Sequence, residues 1–310
     1  MTRRLRNPVL LLLITLIVAW LVVRSWSDPV RFEPGRLQDL PRGLRTLKVV
    51  SFNIAHARGV GLNQIFTSNG TLARNLEALG DYLRWEAADL VLLQEIDEDC
   101  LWSGNVNQAE LLAERAGYPY WWIGANNTLD WPLASRYGNA ILSRHRIIAF
   151  RNTAFGEALV GEKGFFEARI TLGEGRYVTV LGAHLHHASA DEREAQAARM
   201  ASRIAAVDEP LIVAGDLNVA PDAREQTLAL LRRGDRLLGW ELDRPGEPTF
   251  HALAPSRRID YILASRHFDL VEQRVRPLAL SDHRPVVAVL RFHTPVVDEE
   301  RDPADSLVTP

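Results

Sequence analysis

The sequence predicts a mixed α/β domain between Thr46 and His293, and three observations carry that prediction. Short runs rich in Val, Ile and Leu alternate with stretches whose apolar residues recur at helical spacing. One pair of runs reads as a hairpin, which makes the sheet arrangement mixed and not purely parallel. Acids, amides and histidines sit directly after the apolar runs, where ligands collect in α/β folds.

The elements follow in order. Leu47 to Ile54 is the first strand, and Leu72, Leu76, Leu79 and Leu83 then fall on one helical face. Between them Gly59-Val60-Gly61 lacks the third glycine of a dinucleotide fingerprint and reads as a loop. Leu90 to Leu93 and Asn139 to Leu142 are strands. Phe165 to Leu172, Glu174-Gly175 and Arg176 to Leu181 form the hairpin, whose second run extends to Ala183. Ala197, Met200, Ala201, Ile204 and Ala205 mark a second covering helix. Leu211 to Ala214, Ile259 to Leu263 and Val286 to Phe292 complete the strands.

The composition, 47% hydrophobic, suffices for a substantial core. A net charge of −3 and a pI near 6.3 exclude a global basic field, which disfavours a nucleic acid partner while leaving a local basic groove open. Cys100 is the only cysteine, so no intramolecular disulfide and no multi-thiolate zinc site exists.

The two ends differ from the middle. Arg3, Arg4 and Arg6 precede an uncharged apolar run from Val9 to Val23, the layout of a signal anchor or signal peptide over residues 1–24. That run spans only ~22 Å at 1.5 Å per residue against a ~30 Å hydrocarbon core, so the membrane segment is extended to residues 7–26, with Arg24 snorkelling and Trp20 or Trp26 at an interface. Ser25-Trp26-Ser27 offers a cleavage site, and secretion after cleavage is the alternative to an anchor. Either way the basic residues keep the amino terminus in the cytoplasm, and the domain over 46–293 is expected on the extracytoplasmic side of the inner membrane. Residues 25–45, with Pro29, Pro34, Gly35, Pro41 and Gly43, read as a linker, and 294–310 as a disordered tail.

Chemistry concentrates at the strand ends. Asn53 closes the first strand and Glu95 the second; His184 follows the hairpin; Asp216 and Asn218 follow Ile212-Val213-Ala214; Asp260 lies in Arg258-Ile259-Asp260-Tyr261; Asp282-His283 opens the last strand. Singly, an acid after a strand is more often a turn former or helix cap, and a lone histidine a satisfied polar group. The set is harder to dismiss, because short polar side chains repeatedly take positions where exposed lysine or glutamate would otherwise serve.

In order and spacing, Asn53, Gln94-Glu95, His184, Gly215-Asp216-Leu217-Asn218, Arg258 to Ile262 and Ser281 to Pro285 resemble the endonuclease/exonuclease/phosphatase superfamily. Tyr137 to Ser143 and Pro248-Thr249-Phe250 add secondary matches. The resemblance covers nearly all of 46–293, and it implies a four-layer αββα sandwich of two mixed sheets with the active site at one end. It also implies a hydrolase of phosphodiesters or phosphomonoesters that uses Mg²⁺, with Mn²⁺ an alternative. On the matching positions, Glu95 is the main metal ligand, Asn53 helps hold the metal site, and Asp282 is a second ligand or binds the metal's water. Asp216 orients or deprotonates the attacking water, Asn218 and His184 bind phosphoryl oxygens, and His283, positioned by Asp260, acts on the phosphate or leaving group. The chemistry agrees: Mg²⁺ prefers carboxylate oxygen to imidazole, and an Asp beside His favours an imidazolium.

One departure stands out: Ala55 occupies a position where nuclease branches often carry a further carboxylate. His184, His186 and His187 invite a zinc reading, but strand alternation would put His186 with His184 and turn His187 away. Arg193 and Gln196 resemble residues of relatives; a solvated helix face is the competing reading. Trp121, Trp122 and Trp131 suggest an apolar rim, with burial in the core expected of the first two. The leading function is a metal-dependent phosphoesterase acting outside the cytoplasm on, for example, a lipid head group. A surface or secreted nuclease, resting on Arg257, Arg258 and Arg284, and a non-catalytic binding module on the same fold are the alternatives.

Overall fold

The structure is a computed structural model and describes residues 46–129, 135–156, 161–173, 175–232, 237–238 and 246–293. The expected signal segment, membrane contact through 7–26, linker and tail lie outside the described residues, as does Trp131. Among the described residues no helix is long and apolar enough to cross a membrane.

In chain order the elements are β1 (Thr46–Asn53), α1 (Asn69–Glu86), β2 (Leu90–Cys100), α2 (Gln108–Ala116), β3 (Tyr120–Leu129), β4 (Ser135–Ser143), β5 (Ile147–Ala154), β6 (Gly164–Gly173), β7 (Arg176–His184), α3 (Ala190–Ala205), β8 (Leu211–Asp216), α4 (Thr227–Leu231), β9 (Leu237–Leu238), β10 (Asp260–Ser265), β11 (Phe268–Val275) and β12 (Val286–Phe292). They form two six-stranded sheets, β11-β12-β1-β2-β4-β3 and β5-β6-β7-β8-β10-β9. Both are mixed: β1 is parallel to β2 and antiparallel to β12, while β7 is parallel to β8 and antiparallel to β6.

Strand alternation sends successive residues to opposite faces, and the apolar pattern fixes which face is which. Leu47, Val49, Leu90, Leu92 and Ile141 meet Phe166, Val178, Val180, Ile212 and Ile262 between the sheets. On the outer face of the first sheet Val50, Phe52, Val91 and Leu93 pack under Leu72, Leu76, Leu79 and Leu83 of α1. On the outer face of the second, Leu181, Val213 and Leu263 pack under Ala197, Met200 and Ile204 of α3. The result is four layers, helix, sheet, sheet, helix.

Local chemistry sets the helix limits. The Ser68 side chain accepts from the Thr71 N–H at the start of α1, and Ala87 ends it in the left-handed region. Ser189 caps α3 on the Glu192 N–H.

Trp121 packs partly buried against the core under α1 and α2. Trp122 does not follow it: its side chain is 52% exposed and stacks on Phe150, with ring centroids 5.3 Å apart. The reason is alternation on β3, an edge strand whose faces differ, so adjacent tryptophans cannot share one environment.

Candidate active site

Register assembles the site. Across the second sheet His184 pairs with Asp216 and Asp216 with Asp260, so three distant residues form one row over β7, β8 and β10. Across the first sheet Asn53 pairs with Gln94 and Gln94 with Asn139. The rows meet between the sheets, where Asn53 Nδ2 donates to Asp216 Oδ2 at 3.1 Å. Gly215 lets β8 lie this close to β7: its φ is +151°, and a Cβ there would stand 1.9 Å from the Ala183 carbonyl oxygen.

Glu95 reaches the same cleft by a different device. In a regular strand it would follow Val91 and Leu93 onto the face under α1. The register with β4 shifts between Gln94 and Ile96, Glu95 takes a φ of 50°, and Ile96 occupies the core face instead. Glu95 therefore does not close the second strand, as the sequence suggested; it sits on a bulge within a strand that runs on to Cys100.

At the centre is Asp216, 1% exposed. Its oxygens accept from Asn53 and from the Asn218 backbone N–H at 3.0 Å, and Oδ2 lies 3.4 Å from His184 Nε2 and 3.6 Å from His283 Nε2. Burial, joined by the charge of Asp260 and opposed by His283, pushes its carboxyl up to about 7. His283 Nδ1 lies 2.9 Å from Asp260 Oδ2. Burial works against its charge, but Asp260 and Asp216 outweigh burial and push His283 up to about 10. For His184, burial reinforced by Lys163 holds the ring well below the ordinary value, so it is an uncharged imidazole.

All eight expected residues converge, with two roles refined. Asn53 Oδ1 already accepts from the Ala55 N–H at 3.0 Å, so its amide orients Asp216. Asn218 Nδ2 donates to the Leu185 carbonyl at 3.0 Å, bracing the chain that follows His184.

Four residues join the site that the sequence reading did not name. Lys163 Nζ lies 3.8 Å from Glu95 Oε1 and 3.4 Å from His184 Nδ1. Arg58 donates to the Gly61 carbonyl at 2.9 Å, contacts Asp282 Oδ2 directly, and places Nη1 3.5 Å from Glu95 Oε2. His56 Nε2 faces Glu95 Oε2 at 3.7 Å, and Asp97 holds its Nδ1. No local motif marks them, although a cation and a histidine in the short segment after Asn53 are a usable signal. The Gly59 to Gly61 segment is the loop expected, and its Gly61 carbonyl holds Arg58.

The three histidines after β7 part company. His186, not His187, turns away from the site: its Nδ1 accepts from the Ala188 and Ser189 N–H groups at 3.2 and 3.0 Å, and its Nε2 lies 2.8 Å from Glu192. Alternation fails because the strand ends at His184 and the chain turns into α3. Arg193 and Gln196 are buried, which overturns the solvated-face reading: Arg193 pairs with Glu225 and donates to the His186 carbonyl at 3.0 Å, and Gln196 Oε1 accepts from the His186 N–H at 2.8 Å.

A divalent cation fits the donor set at Glu95. Burial acts to raise the pKa of this carboxyl, and the Lys163 and Arg58 cations, standing with the His56 and His184 imidazoles around it, outweigh burial and hold the group well below its usual range. Yet the nearest of these cations and imidazoles stand at 3.5–3.9 Å, beyond hydrogen-bond length, so the ionised oxygens keep open lone pairs. Asp282 is joined to Glu95 through Arg58, which touches both, and its Oδ1 accepts from Ser281 Oγ at 3.2 Å. Asp216, Asp260 and His283 are also spaced to hold an ion, within 4.8 Å of one another. In that group Asp260 is already committed to His283 Nδ1 at 2.9 Å.

An aimed carboxylate, an imidazolium held by a second carboxylate, an uncharged imidazole and the open acid Glu95, set at one end of two stacked sheets, fit one class: hydrolases of phosphoric esters. Residues 50–283 match the model of the endonuclease/exonuclease/phosphatase family, and the chain belongs to that family. It is an enzyme of that hydrolase class, and the family uses divalent metal ions. An endonuclease/exonuclease/phosphatase from Beutenbergia cavernae is 26% identical, with a TM-score of 0.64 over 80% of this chain and 72% of that one. The human Nocturnin catalytic domain with bound sulfate is 19% identical, with a TM-score of 0.60 over 80% and 95%. A humanized TDP2 from D. rerio is 17% identical, with a TM-score of 0.59 over 80% and 99%. These last two show the shared fold. Comparison with curated proteins returned no match.

Proposed function

We propose that the protein is a Mg²⁺-dependent hydrolase of phosphodiester or phosphomonoester bonds that works outside the cytoplasm on amphiphilic substrates such as lipid head groups. The observation that carries the reaction is the split between Asp216, near 7, and His283, near 10, whose facing atoms lie 3.6 Å apart. Between these values one group takes a proton while the other gives one.

Glu95 and Asp282 would hold the cation, which would supply charge neutralisation on the phosphoryl oxygens. Asp216, fixed by Asn53 and the Asn218 backbone, accepts a proton from the attacking water. As the new P–O bond forms, the bond to the leaving oxygen breaks and His283 donates its Nε2 proton there. His184 and Lys163 face the remaining oxygens as donors.

Support for an amphiphilic substrate comes from the loop after Arg58, where Leu62 is 93%, Ile65 45% and Phe66 40% exposed. Leu253, also exposed, sits beside the site because the Ala252 N–H donates to the Asp282 carbonyl at 2.7 Å. The apolar run after Arg6 supports a membrane location. Against a nuclease, the basic trio is occupied elsewhere: Arg284 donates to the Ala252 carbonyl, Arg257 lies over Phe250, and Arg258 is buried over Tyr261. A substrate panel with Mg²⁺ and Mn²⁺ tests the reading, spanning DNA, RNA, sphingomyelin, glycerophospholipids and inositol phosphates. Turnover of a lipid phosphoester is expected; salt-sensitive cleavage of DNA alone would replace this reading with the nuclease, and inertness toward every class would favour a binding module. A phosphatase-type topology reporter fused after Pro310 should be active, and its silence would reverse the orientation.

A further inference from the structure

Three consecutive non-glycine residues, Ala55, His56 and Ala57, take φ values of 50°, 55° and 59°. L-residues adopt this region reluctantly, so the surroundings must hold it. They do: the Ala55 N–H is fixed by Asn53 Oδ1, the His56 carbonyl accepts from Gln108 Nε2 at 3.3 Å, and the Ala57 carbonyl accepts from Asn75 Nδ2 at 2.9 Å. The bend delivers the His56 ring, 5% exposed, edge-on between Trp102 and Tyr137, with centroids 5.9 and 4.9 Å away.

The ring is also oriented. Its Nδ1 lies 2.6 Å from Asp97 Oδ1. Asp97 is wholly buried and locked in turn, with Oδ2 accepting from Trp102 Nε1 at 2.9 Å and Gln108 Nε2 at 3.3 Å. A carboxylate on Nδ1 fixes the plane of the ring and aims Nε2 into the cleft, the arrangement of a histidine that binds metal. That Nε2 faces Glu95 Oε2 at 3.7 Å. The distance is too long for a hydrogen bond and within the reach of two ligands that each lie ~2.0–2.2 Å from one ion.

We propose that His56, oriented by Asp97, is a nitrogen ligand of the divalent cation held by Glu95, and that this ligand raises the affinity of the site for Mn²⁺-type ions relative to Mg²⁺ above what its oxygen donors alone would give. The inference rests on the metal-dependent reading above and adds the ligand and the selectivity to it. One feature of this chain favours a nitrogen ligand: Arg58 already cancels one oxygen of Asp282. An imidazole shifts preference away from Mg²⁺, which favours oxygen donors, toward borderline first-row ions.

The test uses the full chain loaded with Mn²⁺ and read by pulsed electron paramagnetic resonance, which detects coupling between the ion and a ligating ¹⁴N. Wild type should show imidazole ¹⁴N coupling, His184→Ala should keep it, and His56→Ala should lose it. Calorimetric titration of His56→Ala should show Mn²⁺ affinity lower by about tenfold or more and a narrowed preference over Mg²⁺. His56→Gln serves if the alanine variant fails to fold. Mn²⁺ bound to wild type without ¹⁴N coupling, or coupling that survives in the His56 variants, overturns this inference alone. Failure of wild type to bind either ion overturns the metal-dependent reading as well.

Discussion

Two aspartate–histidine pairs flank the cleft, and they differ in what faces the far nitrogen. In both, a buried carboxylate sits on Nδ1, Asp260 for His283 and Asp97 for His56. His283 Nε2 looks at Asp216, a second buried carboxylate, and the two acids together stabilise an imidazolium. His56 Nε2 looks at Glu95, whose charge is already shared with Arg58 and Lys163. The same local pair thus points its far nitrogen at a buried, uncompensated carboxylate at one place and at a carboxylate flanked by two cations at the other, and the ligand role proposed for His56 rests on that difference.

The comparison breaks first at Glu95, where the effect is largest. Glu95→Ala should abolish turnover and Mg²⁺ dependence together, a loss of several kcal/mol of barrier lowering, about 10²-fold or more; steady-state rates across a metal titration check it, and full turnover would remove the site. Next, His283→Ala should remain folded by circular dichroism yet lose about 10²–10⁴-fold in kcat, with added metal restoring nothing. His56→Ala should instead lose about 10–100-fold at limiting metal and recover as metal is raised. Equal, unrescued losses in both variants would mean that the two pairs do the same work.

A smaller effect concerns pH. Activity should form a bell, rising through about 7 as Asp216 ionises and falling through about 10 as His283 loses its proton. The Asn53 hydrogen bond lowers the Asp216 value, so Asn53→Ala should move the acid limb upward, a change read directly from the pH–rate profile. Smallest is the stability term. His283 is raised above its ordinary 6.5, so its contribution is complete below that value and is lost as pH rises through about 10. The melting temperature should decline across that interval and stay flatter in His283→Ala.

Much of this was legible in the sequence because buried strands and strand-end side chains are local signals. β1, β7, β8, β10 and β12 lie inside their sheets and announce themselves as apolar runs. The strands that went unread, β3, β5, β9 and β11, are the four sheet edges. An edge strand buries less of its surface, so β5 and β11 alternate polar and apolar residues too loosely to stand out.

The sequence by itself determined the mixed α/β class, the core strands, and eight residues whose types and order match a phosphoesterase. Those properties follow from periodicity and from motifs a few residues long. Only the tertiary structure decided that Glu95 leaves its strand on a bulge, that Arg58 reaches Asp282, that Lys163 stands over His184, and that His56 and Asp97 form a second pair. Each of these joins side chains from separate segments through strand register or left-handed backbone, and such contacts come into being only when the sheets stack.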